Sequence, residues 1–163
     1  MDKEYYQVVF IANNKEIHCI WYTNNKDGFV TECKKIKCFT NSKKLKEYAE
    51  KNKMNLNIKN TLLSMDEAKL WLQKRKSEFD CEYLLSFWNI ISDLAYSVGE
   101  IFYGDQDKDI LIKIYDKLFY GNNLPSITPE DKKYFPEWEV DEIKEIAKVI
   151  EDGLKIVNTY IYI

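Results

Sequence analysis

Apolar and polar positions alternate along the first forty residues and change to helical spacing beyond them, so the chain reads as strands followed by helices. The runs EYYQVVFIA (4–12) and EIHCIWYT (16–23) flank Asn13-Asn14-Lys15, residues that tolerate a left-handed backbone, which is a hairpin signal. A second turn signal, Asn24-Asn25-Lys26-Asp27-Gly28, leads into FVTECKKIKCF (29–39). There Val30, Glu32, Lys34, Ile36 and Cys38 would share one face, so the alternation is imperfect. A three-stranded antiparallel meander is the simplest expectation.

Ser42 is placed to cap a helix through KKLKEYAEKN (43–52), and MNLNIKN (54–60) reads as a short edge strand. Ser64 and Glu67 form the S-x-x-E pattern that starts a helix through SMDEAKLWLQKRK (64–76). The stretch CEYLLSFWNIISDLAYSVGEIF (81–102) is apolar around most of its circumference and predicts a long central helix. One narrow polar line runs along it at Ser86, Asn89, Asp93, Ser97 and Glu100, in steps of three and four. A shorter amphipathic helix follows at KDILIKIYDKLFYG (108–121), ended by Gly121 and Pro125. Thr128 as cap with Pro129 and two acids behind it predicts one helical turn, and Pro136 interrupts before a last helix over 139–157. The expected fold is α+β: a small N-terminal antiparallel sheet of three to four strands packed with a C-terminal layer of four to five helices. We expect a single domain over 1–163, sheet-rich over 1–60 and helical over 61–163.

Composition narrows the class. With 45% apolar and 31% charged residues in 163, and only five Gly and three Pro, the chain is neither disordered nor of low complexity. The amino terminus MDKEYYQVVF lacks the layout of a signal peptide and no long apolar run exists, so a cytoplasmic location is expected. The bias toward Lys, Asn and Ile suits an AT-rich, bacterial coding sequence. Arg75 is the sole arginine, which argues against sequence-specific nucleic-acid recognition, because bidentate guanine contacts favour arginine. Charge is split: residues 1–80 carry +5 and residues 81–163 carry −8, a field that favours a basic partner along the second half.

Most catalytic templates fail for want of residues. His18 is the single histidine, and as the strand neighbour of Cys19 it points to the opposite face, so the two do not form a dyad. Cys33 and Cys38 offer one half of a zinc site with no second pair, and reduced thiols are expected for all four cysteines. The segment from Asp105 to Asp109 matches the first positions of a calcium loop, but Ile110 stands where glycine is required and Asp116 where glutamate is. No metal, cofactor or catalytic residue is expected. Lys34, Lys35 and Lys37 near Phe39, and Lys43, Lys44 and Lys46 near Tyr48, are suited only to nonspecific phosphate contact.

In the last third, aromatic residues stand among acids, a composition suited to an interface with a basic protein. The candidate contact residues are Glu130, Asp131, Tyr134, Glu137, Trp138, Glu139, Asp141 and Glu142. The alternative places a small-ligand or enzyme pocket along the central helix, floored by Asn89, Asp93 and Ser97.

Trp88-Asn89, Asp93, Asn122-Asn123-Leu124-Pro125 and Thr128-Pro129-Glu130, set in residues 83–157, resemble a pattern of small bacterial immunity proteins. These accompany polymorphic toxins, including contact-dependent growth inhibition systems. The resemblance implies a non-enzymatic cytoplasmic inhibitor that binds one cognate toxin domain, often a basic nuclease, and covers its active site. From the residues themselves, no cofactor, no membrane partner and no direct sequence-specific nucleic-acid binding are expected.

Overall fold

The computed structural model describes residues 2–161. Strands β1 (Glu4–Ala12) and β2 (Lys15–Thr23) form the expected hairpin, paired from Ala12 with Lys15 to Glu4 with Thr23. Asn13 and Asn14 both hold positive φ (53° and 59°), which gives the turn the twist that a two-residue hairpin needs. Their amides donate to the two carboxylate oxygens of Asp66 at 2.8 and 3.0 Å, tying the turn to a helix far along the chain.

The third strand is not continuous. It breaks into β3 (Gly28–Phe29), an excursion hairpin of β4 (Thr31–Glu32) and β5 (Lys35–Ile36), and β6 (Cys38–Phe39). Cys33 and Lys34 turn the excursion with positive φ (52° and 62°), while β3 and β6 pair separately with β2. This explains the imperfect alternation. Helix α1 (Ser42–Lys51) follows, and its cap is Asn41, which accepts from the Lys44 amide; Ser42 instead donates its hydroxyl to Gln7.

The edge strand is longer than expected, β7 (Leu56–Ser64), and it runs parallel to β1, so the sheet is mixed, in the order β3-β2-β1-β7 with β6 also on β2. Val8, Phe10, Cys19, Phe29 and Leu63 join the main core, and Ile20 with Phe39, Leu45 and Ala49 forms a smaller cluster that includes α1.

Helix α2 (Met65–Lys74) is capped by Ser64 as its sequence predicts. Helix α3 (Cys81–Val98) starts at the Asp80 cap and buries Leu84, Phe87, Trp88, Ile91 and Leu94. It ends earlier than its apolar run, because Gly99 turns left-handed (φ 77°) and takes residues 99–102 out of the helix. Helix α4 (Asp109–Gly121) and helix α5 (Val140–Tyr160) complete the layer. Gly153 of α5 sits on the Phe87 ring, where a Cβ would come within 2.7 Å of ring carbons; this close approach lets α5 pack onto α3. Among the described residues no helix is long and apolar enough to cross a membrane.

Candidate protein-binding surface

Helix α4 turns Leu111, Ile114 and Leu118 inward and presents Ile112, Lys113, Asp116, Lys117 and Tyr120 outward. The segment 122–139 lies across that outward side as a strap. Its first end is fixed by Asn123, held at positive φ (49°), whose side chain acts as a second backbone. The Asn123 Nδ2 donates to the Tyr134 carbonyl (2.8 Å), and its Oδ1 accepts from the Tyr134 amide (2.8 Å). One side chain thereby closes the loop between residues 124 and 133. Inside it, Ile127 and Thr128 amides return to the Leu124 carbonyl, and Glu130–Lys132 make a 3-10 turn. Pro129 occupies the cap position of that turn, where the sequence pattern had suggested Thr128.

The other end is fixed by Glu142. Its Oε2 accepts from Lys117 Nζ (2.7 Å) and from the Glu139 amide (3.0 Å), completing a capping box for α5. Lys113 Nζ lies 3.2 Å from Oε1, an ion-pair approach without hydrogen-bond alignment. Lys117 also donates to the Glu137 carbonyl (2.6 Å) and sits 5.0 Å from the Trp138 ring centre. Burial by itself would raise the Glu142 pKa; Lys117, the Glu139 amide and Lys113 overcome that and hold it below the ordinary glutamate value. The carboxylate is therefore charged and serves as the joint between α4, the strap and α5.

Between strap and helix opens a cleft of about 710 Å³, with Ile112, Asp116, Tyr120, Ile127, Lys132 and Tyr134 among its walls. Of its lining, Ile112, Tyr120, Ile127 and Tyr134 stay exposed, and Leu124, Phe135 and Val140 are exposed on adjoining stretches of chain without lining it. A cluster of open apolar groups of this kind is what distinguishes an interaction site from scattered surface residues. Residues 109–142 carry eight acids against four lysines, and two of those lysines, Lys113 and Lys117, are held by Glu142.

Of the candidate contact residues, Glu130, Asp131, Tyr134, Glu137, Glu139 and Asp141 lie on the open surface. Trp138 is half-buried, with its ring 4.9 Å from that of Phe79. Glu142 is wholly buried and is corrected from a contact residue to a structural one. Sequence reading missed Ile112, on the outward face of a helix judged by its apolar face alone, and placed Tyr120 among the aromatics near acids without counting it as a contact residue. It also missed the Asn123 clamp, whose signal was only a turn-prone Asn-Asn pair.

The polar line of α3 is brought together differently. Ser97 Oγ accepts from the Phe29 amide (2.7 Å) and donates to the Asp93 carbonyl (2.7 Å), while Asp93 accepts from Trp21 Nε1 (2.9 Å). These bonds fasten α3 to β2 and β3. Burial pushes the Asp93 carboxyl above the usual range, against the opposing pull of the Trp21 hydrogen bond. Asn89 instead accepts from Tyr115 and lines a separate shallow cleft of about 440 Å³ with Asp105 and Asp107, which does not include Asp93 or Ser97. Glu100 lies beyond the helix end and accepts from the Tyr160 hydroxyl. The three expected pocket residues thus do not share a floor.

His18 is buried beside Gln7. Ser42 donates to Gln7 Oε1, which turns the amide nitrogen toward His18 Nδ1 (2.7 Å), while His18 Nε2 faces Glu16 (3.2 Å). Lys37 pairs with Glu32 (2.6 Å) and lies within 6 Å of the Phe39 and Tyr48 ring centres, so part of the basic and aromatic N-terminal surface is engaged internally. No group of His, Cys, Asp or Glu among the described residues is arranged to hold a metal. No family model matches the chain, and neither a curated protein nor a solved structure matches it significantly.

Proposed function

We propose that this chain is an immunity protein: a cytoplasmic, non-enzymatic inhibitor that binds a basic toxin domain, of nuclease type, and occludes its active site. The observation that carries the proposal is the cleft between α4 and the strap, where exposed aromatic and aliphatic anchors stand inside an acidic surround. Anchors that fill pockets and shed water set residence time, and the surrounding field speeds encounter with a positively charged partner. The competing pocket on α3 loses support because one Asp93 carboxylate oxygen is held by Trp21, the Ser97 hydroxyl is held by the Phe29 amide, and Asn89 opens onto a different cleft.

The test is co-expression with the toxin domain encoded next to this chain, read by growth rescue and by calorimetry on the purified pair. A one-to-one complex with rescue is the expected result. Association should slow as salt rises, and should slow again when Asp131, Glu137, Glu139 and Asp141 are replaced by lysine. Failure to bind, or binding indifferent to those four replacements, counts against the proposal or against this placement of the surface.

A further inference from the structure

Away from the cleft, two thiols face one another across β2 and β6. Cys19 and Cys38 are direct partners in the register of the two antiparallel strands, and their Sγ atoms are 3.8 Å apart. Opposed residues of antiparallel strands have Cα atoms about 4.5–5.5 Å apart, which falls within the span a disulfide bridges. Closing the sulfur gap therefore calls for side-chain rotation and leaves the strands in place. Cys38 is half-buried and its thiol points at the Ile36 carbonyl, whereas Cys19 is wholly buried. Cys33 is nearer to Cys38 in sequence, but it sits exposed at the left-handed β4–β5 turn and outside this pairing.

We propose that Cys19 and Cys38 form a reversible disulfide site that is oxidised by small-molecule disulfides such as oxidised glutathione. The Cys38 thiolate attacks one sulfur of the reagent, giving a mixed disulfide on Cys38 and releasing one reagent thiolate. Cys19 then gives up its proton and attacks the Cys38 sulfur, which expels the second reagent thiolate. Two protein thiols and one reagent disulfide become one protein disulfide and two reagent thiols, with two electrons passing to the reagent. Burial raises the Cys19 pKa well above its ordinary value, which fits it to the second step and leaves the first to Cys38. The bond would join β2 to β6 and enclose the β3 strand and the β4–β5 excursion within its loop.

The full chain is incubated with oxidised glutathione, quenched by alkylation and mapped by mass spectrometry without reduction. The expected result is loss of two hydrogens, a Cys19–Cys38 linked peptide, and a rise in Tm of about 5–10 °C that a reducing agent reverses. The same linked peptide should appear in Cys33→Ser. Cys19→Ala should stop at a glutathione adduct on Cys38, with folding confirmed by circular dichroism. A Cys33–Cys38 link, an adduct on Cys38 of the unaltered chain that never resolves, a link that forms only in urea, or no reaction would each overturn the proposal.

Discussion

The polar line of α3 and the strap over α4 are both rich in polar side chains, and they use them in opposite ways. On α3, Asp93 and Ser97 are turned toward the sheet, and their hydrogen bonds to Trp21 and Phe29 hold a helix against β2 and β3. On the strap, Asn123 and Glu142 secure the two ends, which leaves Tyr134, Phe135 and most of the acids facing solvent. A polar stripe on a buried helix is thus used up in assembling the fold, whereas a loop with fixed ends keeps its middle available for a partner. The difference lies in which groups still have an unmet interaction once the chain has folded.

The largest effect is expected where the strap is fastened. Replacing Glu142 with alanine leaves Lys117 facing a vacated buried position and removes the capping box, and should lower stability by about 3 kcal/mol, read from urea denaturation. A change under about 0.5 kcal/mol would show that the joint is dispensable. Next comes the open side. Tyr120→Ala with Ile127→Ala should weaken binding of the proposed toxin partner at least about thirtyfold, with stability changed by no more than about 0.5 kcal/mol.

On α3 the reverse is expected. Ser97→Ala strips the Phe29 amide of its acceptor and should cost about 1–2 kcal/mol of stability with affinity unaltered. Asp93→Asn gives the smallest effect and the most informative one. Because burial raises the folded pKa of Asp93, the folded state holds its proton to higher pH than the unfolded chain does, so this group's contribution declines as pH rises from its ordinary value of 3.8 through the folded value. Asparagine can still accept from Trp21 and carries no charge, so near neutral pH the variant should equal or slightly exceed the parent in stability. Asp66 has the opposite sign: the Asn14 and Asn13 amides depress its pKa, so its contribution is complete above 3.8 and is lost as pH falls through the lower folded value. Thermal melts of Asp93→Asn and Asp66→Asn against the parent across acidic pH check both signs.

Much of the fold was legible because its signals are local. The Asn13-Asn14 turn, the Ser64 cap and the apolar stripe of α5 each fix an element from residues a few positions apart. The parallel pairing of β7 with β1 was not legible, since it joins residues about fifty positions apart and nothing in either strand names its neighbour. The break in the third strand left only a trace, the polar side chains around Cys33 and Lys34 where a left-handed turn forms. The contact surface was legible as a composition, aromatics among acids, but its members were not all correct. Glu142 stands beside Ile143 at the start of α5 and reads as solvated; its burial depends on two lysines one helical turn apart on α4, a partnership that exists only in the folded chain.

In the proposed function, the cleft over α4, and not the polar line of α3, recognises a basic protein partner. The decisive experiment is calorimetric titration of the proposed toxin partner into two variants, Tyr120→Ala/Ile127→Ala and Asp93→Asn/Ser97→Ala. The first variant should lose most of its affinity while the second binds like the parent. Undiminished binding by the first together with lost binding by the second, both remaining folded, would move the recognition surface to α3.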